Sequence, residues 1–340
     1  MRENLLTRTR RAARVLLGDG HPSEPIPSIS SEEIEEARRY FPKDKFFIFG
    51  HARSGTTLLA RLLRLHPDVH CSWQAHFFTQ PPLLASLVED PAVREWLVRR
   101  NNRWNRGKDP SPVILRAVAD FILEREADVH EATIVGDKSP SSMLNGEAVR
   151  NLVKIYPDCR LLVIVRDPRD TLVSHRFQAF LDAPHTLTRE DVRIRENFRS
   201  DPTPYLNRER SIFTERGVRQ ASERWVVNVR DTLREGSSHY GARFRQVRFE
   251  DLLAQPVMLL NDIWGFLGAN TESIPEEAMV VAELRVNPDA EWQHEKDGSI
   301  ARYLAKGKSG AWKQFLTERD IQIVNEVAGA ELTQLGYSGA

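Results

Sequence analysis

The chain has 340 residues with 48 basic and 48 acidic side chains, so its formal net charge is zero. This length is sufficient to bury a large core, and the apolar and charged fractions are ordinary for a globular protein. A neutral chain has no overall basic field that would favour nucleic acid, whereas a local pocket for a small anion stays compatible with it. No uninterrupted apolar run approaches the roughly 18 residues that cross a membrane.

The N-terminus and the two cysteines set further bounds. Residues 1–20 carry five arginines among apolar side chains, which breaks the continuous apolar segment of a signal peptide. We expect a short amphipathic helix there, with a transit peptide as the alternative, and a cytoplasmic protein. Cys71 and Cys159 show no metal-binding spacing such as CxxC, so we expect reduced, buried cysteines.

The first half of the chain alternates helical patterns with short apolar runs. Its predicted elements, in chain order, are a helix ending at Phe41, a strand at 46–49, a helix at 56–65, a strand at 69–73, a mostly helical stretch at 81–130, a strand at 132–136 and a helix at 145–157. Prolines and glycines separate these elements, as they do in alternating α/β chains.

The second half continues the alternation. Its predicted elements are a strand at 160–165, a helix in the second half of 166–177, a charged segment at 182–222, a strand at 246–249, a helix at 250–268 and a C-terminal helix at 317–336. The charged segment is either a helical insertion that acts as a lid or a solvated surface segment.

Strands that alternate with helices, one of them continuously apolar, indicate a parallel sheet covered on both faces. We therefore predict an α/β fold: a three-layer sandwich with a central parallel sheet of about five strands and a P-loop-like nucleotide-binding architecture. The expected division is an N-terminal helical extension at 1–43 and a single domain at 44–340, with helical insertions near 81–130 and 182–222.

The first candidate motif is the turn between the strand at 46–49 and the helix that follows. Gly50 and Gly55 allow a tight turn, and backbone N–H groups at a helix N-terminus bind anions. In a nucleotide triphosphatase a lysine follows the second glycine, but here Thr56 stands there and the charge is on Arg53. The residues predicted to bind the anion are Arg53, Ser54, Gly55, Thr56 and Thr57.

The second motif follows the strand at 160–165. Arg166 takes the first position after the strand, where a triphosphatase carries an aspartate for magnesium. An arginine there suits a second phosphate rather than a metal. Ser174, eight residues on, is predicted to share this phosphate, while Asp167, Arg169 and Asp170 also fit simple helix capping.

Two further segments carry positive charge at predicted loops. Lys138 follows the third strand, where a lysine stabilises charge that develops on a bridging oxygen. The segment "KGKSGAWKQF" contributes Lys306, Gly307 and Lys308 to a basic loop that is expected to close over an anion.

Together these motifs resemble the sulfotransferases that use 3′-phosphoadenosine-5′-phosphosulfate, and the resemblance runs from about residue 46 to the C-terminus. The family's RSGTT loop matches Arg53 to Thr57, its arginine and serine pair matches Arg166 and Ser174, and its late basic loop resembles 306–313. The resemblance implies that the first loop binds the 5′-phosphosulfate and that the pair holds the 3′-phosphate. It also implies sulfuryl transfer to a hydroxyl acceptor (a sugar, phenol, lipid alcohol or tyrosine) without a metal.

The catalytic base is where the chain departs from the family. Carbohydrate and tyrosyl-protein members, which this chain resembles more than the small-molecule members, place a glutamate where Gln74 stands. Small-molecule members place a histidine where Pro140 stands. His76, whose imidazole titrates near neutral pH, is therefore the first candidate for the base, and Asp137 is the second. The predicted catalytic residues are His76, Lys138, Arg53 and Asp137.

Two other functions stay open at this point. A nucleotide-dependent kinase of related fold is disfavoured by Thr56 and Arg166, and a non-catalytic nucleotide-binding protein is suggested by Gln74. We expect no nucleic-acid partner, and the oligomeric state is not readable from the sequence.

Overall fold

The structure is a computed structural model that describes residues 25–99, 101, 103–141, 143–270, 272–304 and 308–337. Five strands form one parallel sheet in the order β2-β3-β1-β4-β5. The strands are β1 Asp44–Gly50, β2 Val69–Trp73, β3 Ile134–Lys138, β4 Arg160–Val165 and β5 Phe244–Arg248. The predicted α/β fold with a central parallel sheet is confirmed.

The helices cover both faces of this sheet. In the first half they are α1 Ser31–Tyr40, α2 Thr56–Leu63, α3 Pro91–Val98, α4 Ser111–Val129 and α5 Glu147–Ile155. In the second half they are α6 Pro168–Asp182, α7 Arg189–Ser200, α8 Thr203–Leu206, α9 Glu215–Tyr240, α10 Phe249–Ala254, α11 Pro256–Leu267, α12 Glu277–Arg285, α13 Ala290–Ala301, α14 Trp312–Phe315 and α15 Glu318–Gln334. A 3₁₀ turn at Leu84–Val88 precedes α3.

The core has two parts, one on each side of the sheet. Phe47 and Phe49 of β1 pack into one hydrophobic cluster, and Phe46 and Ile48 pack into the other. Successive side chains of a strand point to opposite faces, so a strand buried on both sides is apolar at every position. This arrangement is the predicted three-layer sandwich.

Several boundaries differ from the predictions for local reasons. The helix predicted at 250–268 is two helices, α10 and α11, because Gln255 precedes a proline and adopts a non-helical backbone. The charged segment 182–222 is largely helical and ends inside α9, a helix of 26 residues that the sequence analysis did not recognise. Helices α12 and α13 were also not predicted.

Both cysteines are free and buried, as predicted. The amphipathic helix expected in residues 1–20 lies outside the described residues. Within the described ranges, no helix has the length and apolar character needed to cross a bilayer.

Candidate active site

The predicted motifs converge at one edge of the sheet. Strands β3, β1 and β4 are neighbours, so their carboxyl ends lie side by side. A cavity of about 680 Å³ opens there, lined on one side by residues 52–53 and 55–58, Arg166, Ser174 and Lys308. Ligands of parallel α/β sheets bind at this position.

The first loop, residues 51–55, connects β1 to α2 in a left-handed turn. Arg53 and Gly55 have φ values of 72° and 98°, and Gly55 precedes α2 without any side-chain cap on the helix. The first backbone N–H groups of α2 therefore face the cavity that Gly55, Thr56 and Thr57 line. The Ser54 Oγ atom is buried and has no hydrogen-bond partner among the described residues.

Arg53 crosses the cavity to helix α6. Its Nε donates a hydrogen bond to Ser174 Oγ at 3.2 Å, which joins the first and second motifs. Burial lowers the pKa of Arg53, and the charge of Arg166 lowers it further. Two guanidinium groups held close together in a partly buried place favour an anion between or beside them.

Arg166 links the first loop to the late loop. Its Nη1 donates to the carbonyl of Arg53 at 3.1 Å, and its Nη2 donates to the carbonyl of Lys308 at 2.8 Å. Its guanidinium lies 4.5 Å from the ring centre of Phe249, and burial lowers its pKa. Lys306 and Gly307, the other residues predicted in the late loop, lie outside the described residues.

Lys138, at the end of β3, reaches the first loop from the other side. Its Nζ donates to Thr57 Oγ1 at 3.1 Å and lies 5.2 Å from the ring centre of Trp73. The side chain is 1% exposed, and this burial lowers its pKa. The structure thus brings three predicted motifs together around α2.

Asp170 was expected only as a helix-capping residue, but the structure gives it a second role. Its carboxylate accepts backbone hydrogen bonds from Gly310 at 2.7 Å and from Trp312 at 3.1 Å. Because Asp170 lies on the same helix as Ser174, it fixes the late loop to the side of the cavity that Arg166 and Ser174 line. The acidic residue within "RDPRD" was the available signal, but its partners are 140 residues away in sequence.

The segment after β2 carries Gln74 and His76, both in the left-handed region with φ of 53°. Gln74 lines the cavity, and its backbone N–H donates to the Lys138 carbonyl at 3.0 Å. His76 is not among the residues that line the cavity in the described part of the chain. Its Nδ1 lies 2.9 Å from Thr79 Oγ1, and burial, with a smaller effect of Lys138, lowers its pKa.

The Asp137 carboxylate stabilises the segment that carries Gln74 and His76 through hydrogen bonds. One carboxylate oxygen accepts the Ala75 N–H at 3.0 Å, and the other accepts the Ser139 hydroxyl. The Ser139 hydroxyl oxygen in turn accepts the His76 N–H at 3.0 Å. Asp137 is 1% exposed, and burial raises its pKa to about 6 despite these hydrogen bonds.

The opposite wall of the cavity consists of residues 284–289, which no sequence motif predicted. Arg61 of α2 holds this wall: its guanidinium donates to the carbonyls of Val286 at 3.1 Å and Glu283 at 2.8 Å and pairs with the Glu283 carboxylate. Arg61 therefore fixes the distance between the first loop and the wall. A lone arginine in a leucine-rich helix gives no sequence signal for this role.

No group of three or more metal-ligating side chains that could hold an ion occurs within the described ranges. The charged side chains that line the cavity are mainly cationic, so the geometry is that of an anion site.

Comparisons with known proteins agree on one family. A model described as "Sulfotransferase family" matches residues 45–273, more than half of the chain. Protein-tyrosine sulfotransferase A of Caenorhabditis elegans is 28% identical over 158 residues, which are 46% of this chain and 39% of that protein. Heparan sulfate glucosamine 3-O-sulfotransferase 6 of Mus musculus is 28% identical over 147 residues, 43% of this chain and 33% of that protein.

The chain thus spans less than half the length of these curated relatives. Among solved structures, mouse sulfotransferase SULT7A1 complexed with PAP aligns over 90% of this chain and 91% of that chain, with 19% identity and a TM-score of 0.45.

Proposed function

The chain belongs to the sulfotransferase family, and from this premise we propose that it transfers a sulfuryl group from 3′-phosphoadenosine-5′-phosphosulfate to a hydroxyl group of an acceptor. The observation that carries the proposal is that Arg53 and Arg166 line one cavity at the carboxyl ends of adjacent strands, while Lys138 donates a hydrogen bond to Thr57, which also lines it. This donor has two separate anionic groups, and the cavity has cationic groups on two sides.

We assign the two anionic groups of the donor to two parts of the cavity, the first loop and the second motif. The backbone N–H groups of α2, with Thr56 and Thr57, are placed for the 5′-phosphosulfate. Arg166 and Ser174 are placed for the 3′-phosphate, and Lys308 of the late loop lies beside them. Arg53 touches Ser174, so it is positioned to contact both anionic ends.

The chemical step is an in-line displacement at sulfur. A bond forms between the acceptor oxygen and sulfur while the bond between sulfur and the bridging phosphate oxygen breaks, and that oxygen keeps the electron pair. Lys138, hydrogen-bonded to Thr57 of the first loop, is placed to stabilise this developing charge. The protein otherwise contributes by positioning the reactants and by removing the hydroxyl proton.

This reaction needs no divalent ion for its charge balance. Arg166 follows β4 at the position where a triphosphatase places its magnesium-binding aspartate, and its guanidinium is turned to the loops rather than to a metal site. We therefore propose metal-independent transfer.

The acceptor is proposed as a tyrosyl or sugar hydroxyl. The relatives named above are a protein-tyrosine sulfotransferase and a heparan sulfate glucosamine sulfotransferase. A phenol or a lipid alcohol remains within the same reaction class.

Two measurements test the proposal. Calorimetry should detect binding of adenosine 3′,5′-bisphosphate without magnesium. Binding of ATP only, and only with magnesium, would instead indicate a kinase. Transfer of labelled sulfate to tyrosyl peptides, oligosaccharides and simple phenols should follow. Tight binding of the bisphosphate without transfer to any acceptor, or to water, would identify a non-catalytic nucleotide-binding protein.

A further inference from the structure

Transfer to a hydroxyl needs a group that accepts its proton, and the candidate residues differ in their position relative to the cavity and in their hydrogen bonds. Gln74 lines the cavity, but its amide is not a base. Asp137 is buried, and each of its carboxylate oxygens already accepts a hydrogen bond from the protein. His76 has one ring nitrogen at 2.9 Å from Thr79 and does not line the cavity within the described ranges.

Asp289 is the one acidic side chain among the described residues that line this cavity. It immediately precedes helix α13, a position where aspartate usually accepts a hydrogen bond from the helix backbone. Here the helix has no side-chain cap, so the carboxylate is not engaged in capping. Asp289 is exposed on the cavity side, within reach of an incoming acceptor.

The charge of Asp289 acts on the two cations that surround the transferred group. Burial lowers the pKa of both Arg53 and Lys138, and the Asp289 carboxylate opposes this effect at both sites. Asp289 and Arg53 line the same cavity, and Lys138 contacts it through Thr57, so the Asp289 carboxylate lies near both motifs. The acceptor oxygen must reach the sulfur of a donor that these same two motifs are proposed to hold.

Hydrogen bonds hold the backbone on both sides of Asp289. Arg61 holds the carbonyls of Glu283 and Val286, and α13 begins immediately after Asp289, with Gln293 N–H donating to the Asp289 carbonyl at 2.9 Å. The residue is thus anchored on both sides along the chain. A catalytic side chain needs this kind of support to hold its geometry.

We propose that Asp289 is the general base of the transfer reaction. The proton of the acceptor hydroxyl passes to an Asp289 carboxylate oxygen while the acceptor oxygen bonds to sulfur and the bridging phosphate oxygen leaves beside Lys138. Asp289 thereby supplies, from the opposite wall, the carboxylate that Gln74 does not provide. This assignment rests on the sulfotransferase function proposed above.

The test compares Asp289→Asn with Glu291→Gln, a matched loss of one carboxylate two residues on, in the first turn of α13 and outside the cavity lining. For an acceptor with a weakly acidic hydroxyl, such as a tyrosyl peptide or a sugar, kcat should fall by about 10²–10⁴-fold in Asp289→Asn. It should stay near the wild-type value in Glu291→Gln. For p-nitrophenol assayed at a mildly alkaline pH, where it is largely the phenolate, the loss in Asp289→Asn should be about tenfold or less, because no proton must be removed.

A second readout separates chemistry from structure. Asp289→Asn should bind adenosine 3′,5′-bisphosphate at least as tightly as the wild type, since it removes a negative charge near Arg53 and Lys138. Weaker bisphosphate binding, or an equal loss for all acceptors, would identify a structural role and overturn the proposal. So would full turnover in Asp289→Asn together with acceptor-dependent loss in His76→Ala or Asp137→Asn.

The experiments also distinguish failure of the sulfotransferase proposal from failure of the base assignment. A wild-type protein that neither binds adenosine 3′,5′-bisphosphate nor transfers sulfate would refute the sulfotransferase proposal. The base assignment fails alone when the wild type is active and Asp289→Asn is equally active.

Discussion

Replacing Gly55 by alanine should weaken both the fold and donor binding, for two separable reasons. Gly55 has φ of 98°, in the left-handed region, which costs a residue with a side chain about 1–2 kcal/mol. A Cβ atom at this position would also lie 2.3 Å from Cδ2 and 2.6 Å from Cε2 of Phe249. Forcing extra volume into a packed site costs about 1–3 kcal/mol, so the expected loss of unfolding free energy is about 2–5 kcal/mol.

The clash also has a consequence for ligand binding. Phe249 is buried, and its ring lies 4.5 Å from the Arg166 guanidinium, so a displaced ring moves the group proposed to hold the 3′-phosphate. A hydrogen bond to a charged group contributes about 1.5–3 kcal/mol. Its loss corresponds to about a ten- to hundredfold rise in the Kd of adenosine 3′,5′-bisphosphate.

Gly268→Ala is the matched control. Gly268 has φ of 86° and a similar ψ, but the nearest atom to its Cβ would be the flexible end of Arg160 at 3.3 Å. Chemical denaturation and calorimetry of both variants should show a larger destabilisation in Gly55→Ala, by about 1–3 kcal/mol, and weaker bisphosphate binding in that variant alone. Equal destabilisation with unchanged affinity in both would refute the role assigned to the Gly55–Phe249 contact.

Four further results are expected. Lys138→Ala should lower kcat by about 10²–10³-fold, because a preorganised hydrogen-bond donor to the leaving oxygen is lost. The Kd of adenosine 3′,5′-bisphosphate should change much less, and equal effects on kcat and Kd would argue against this role. Arg166→Ala should raise the Kd of adenosine 3′,5′-bisphosphate by about tenfold or more. The kcat at saturating donor should stay nearly unchanged, since the 3′-phosphate is remote from sulfur, and near-normal affinity would contradict the phosphate assignment. Asp170→Ala should release the backbone of the late loop from α6, because two hydrogen bonds to the Asp170 carboxylate are lost. The amide hydrogens of Gly310 and Trp312 should then exchange faster, and the bisphosphate should bind more weakly. Unchanged exchange rates would show that other contacts hold the loop. Burial raises the pKa of Asp137 from 3.8 to about 6, so between these values the folded state binds more protons than the unfolded chain and the wild type loses stability as pH rises. The difference in unfolding free energy between Asp137→Asn and wild type should therefore shift in favour of the variant by about 2–2.5 kcal/mol between pH 4 and pH 7, and a constant difference would contradict the burial effect.

The fold was predictable because its central strands have a simple physical requirement. A parallel strand covered on both faces must be apolar throughout, and 160–165 satisfies this at nearly every position. The break between α10 and α11 was missed because helical spacing continues through Pro256, and only the backbone of the preceding residue interrupts it. Helix α9 was missed because charged residues outnumber the apolar residues that form its buried face, so the helical apolar pattern is weak in the sequence.

The cavity was predictable on one side only. Arg53, Lys138 and Arg166 each follow a strand, so the rule that ligands collect at carboxyl ends of strands places them together. Asp289 and the rest of the 284–289 wall follow no strand and have no glycine-rich turn. Their location depends on Arg61, a contact across more than 200 residues that no local pattern encodes.

The two sides of the cavity also differ in how freely they can change during evolution. The cationic side is part of the central sheet, so a substitution there disturbs buried packing shared by neighbouring strands. The 284–289 wall is tied to α2 partly through Arg61 and the backbone carbonyls of Glu283 and Val286, hydrogen bonds that do not depend on the identity of the wall's side chains. Descendants of this chain can therefore acquire new acceptors by replacing wall residues other than Asp289, while the half proposed to bind the donor stays unaltered.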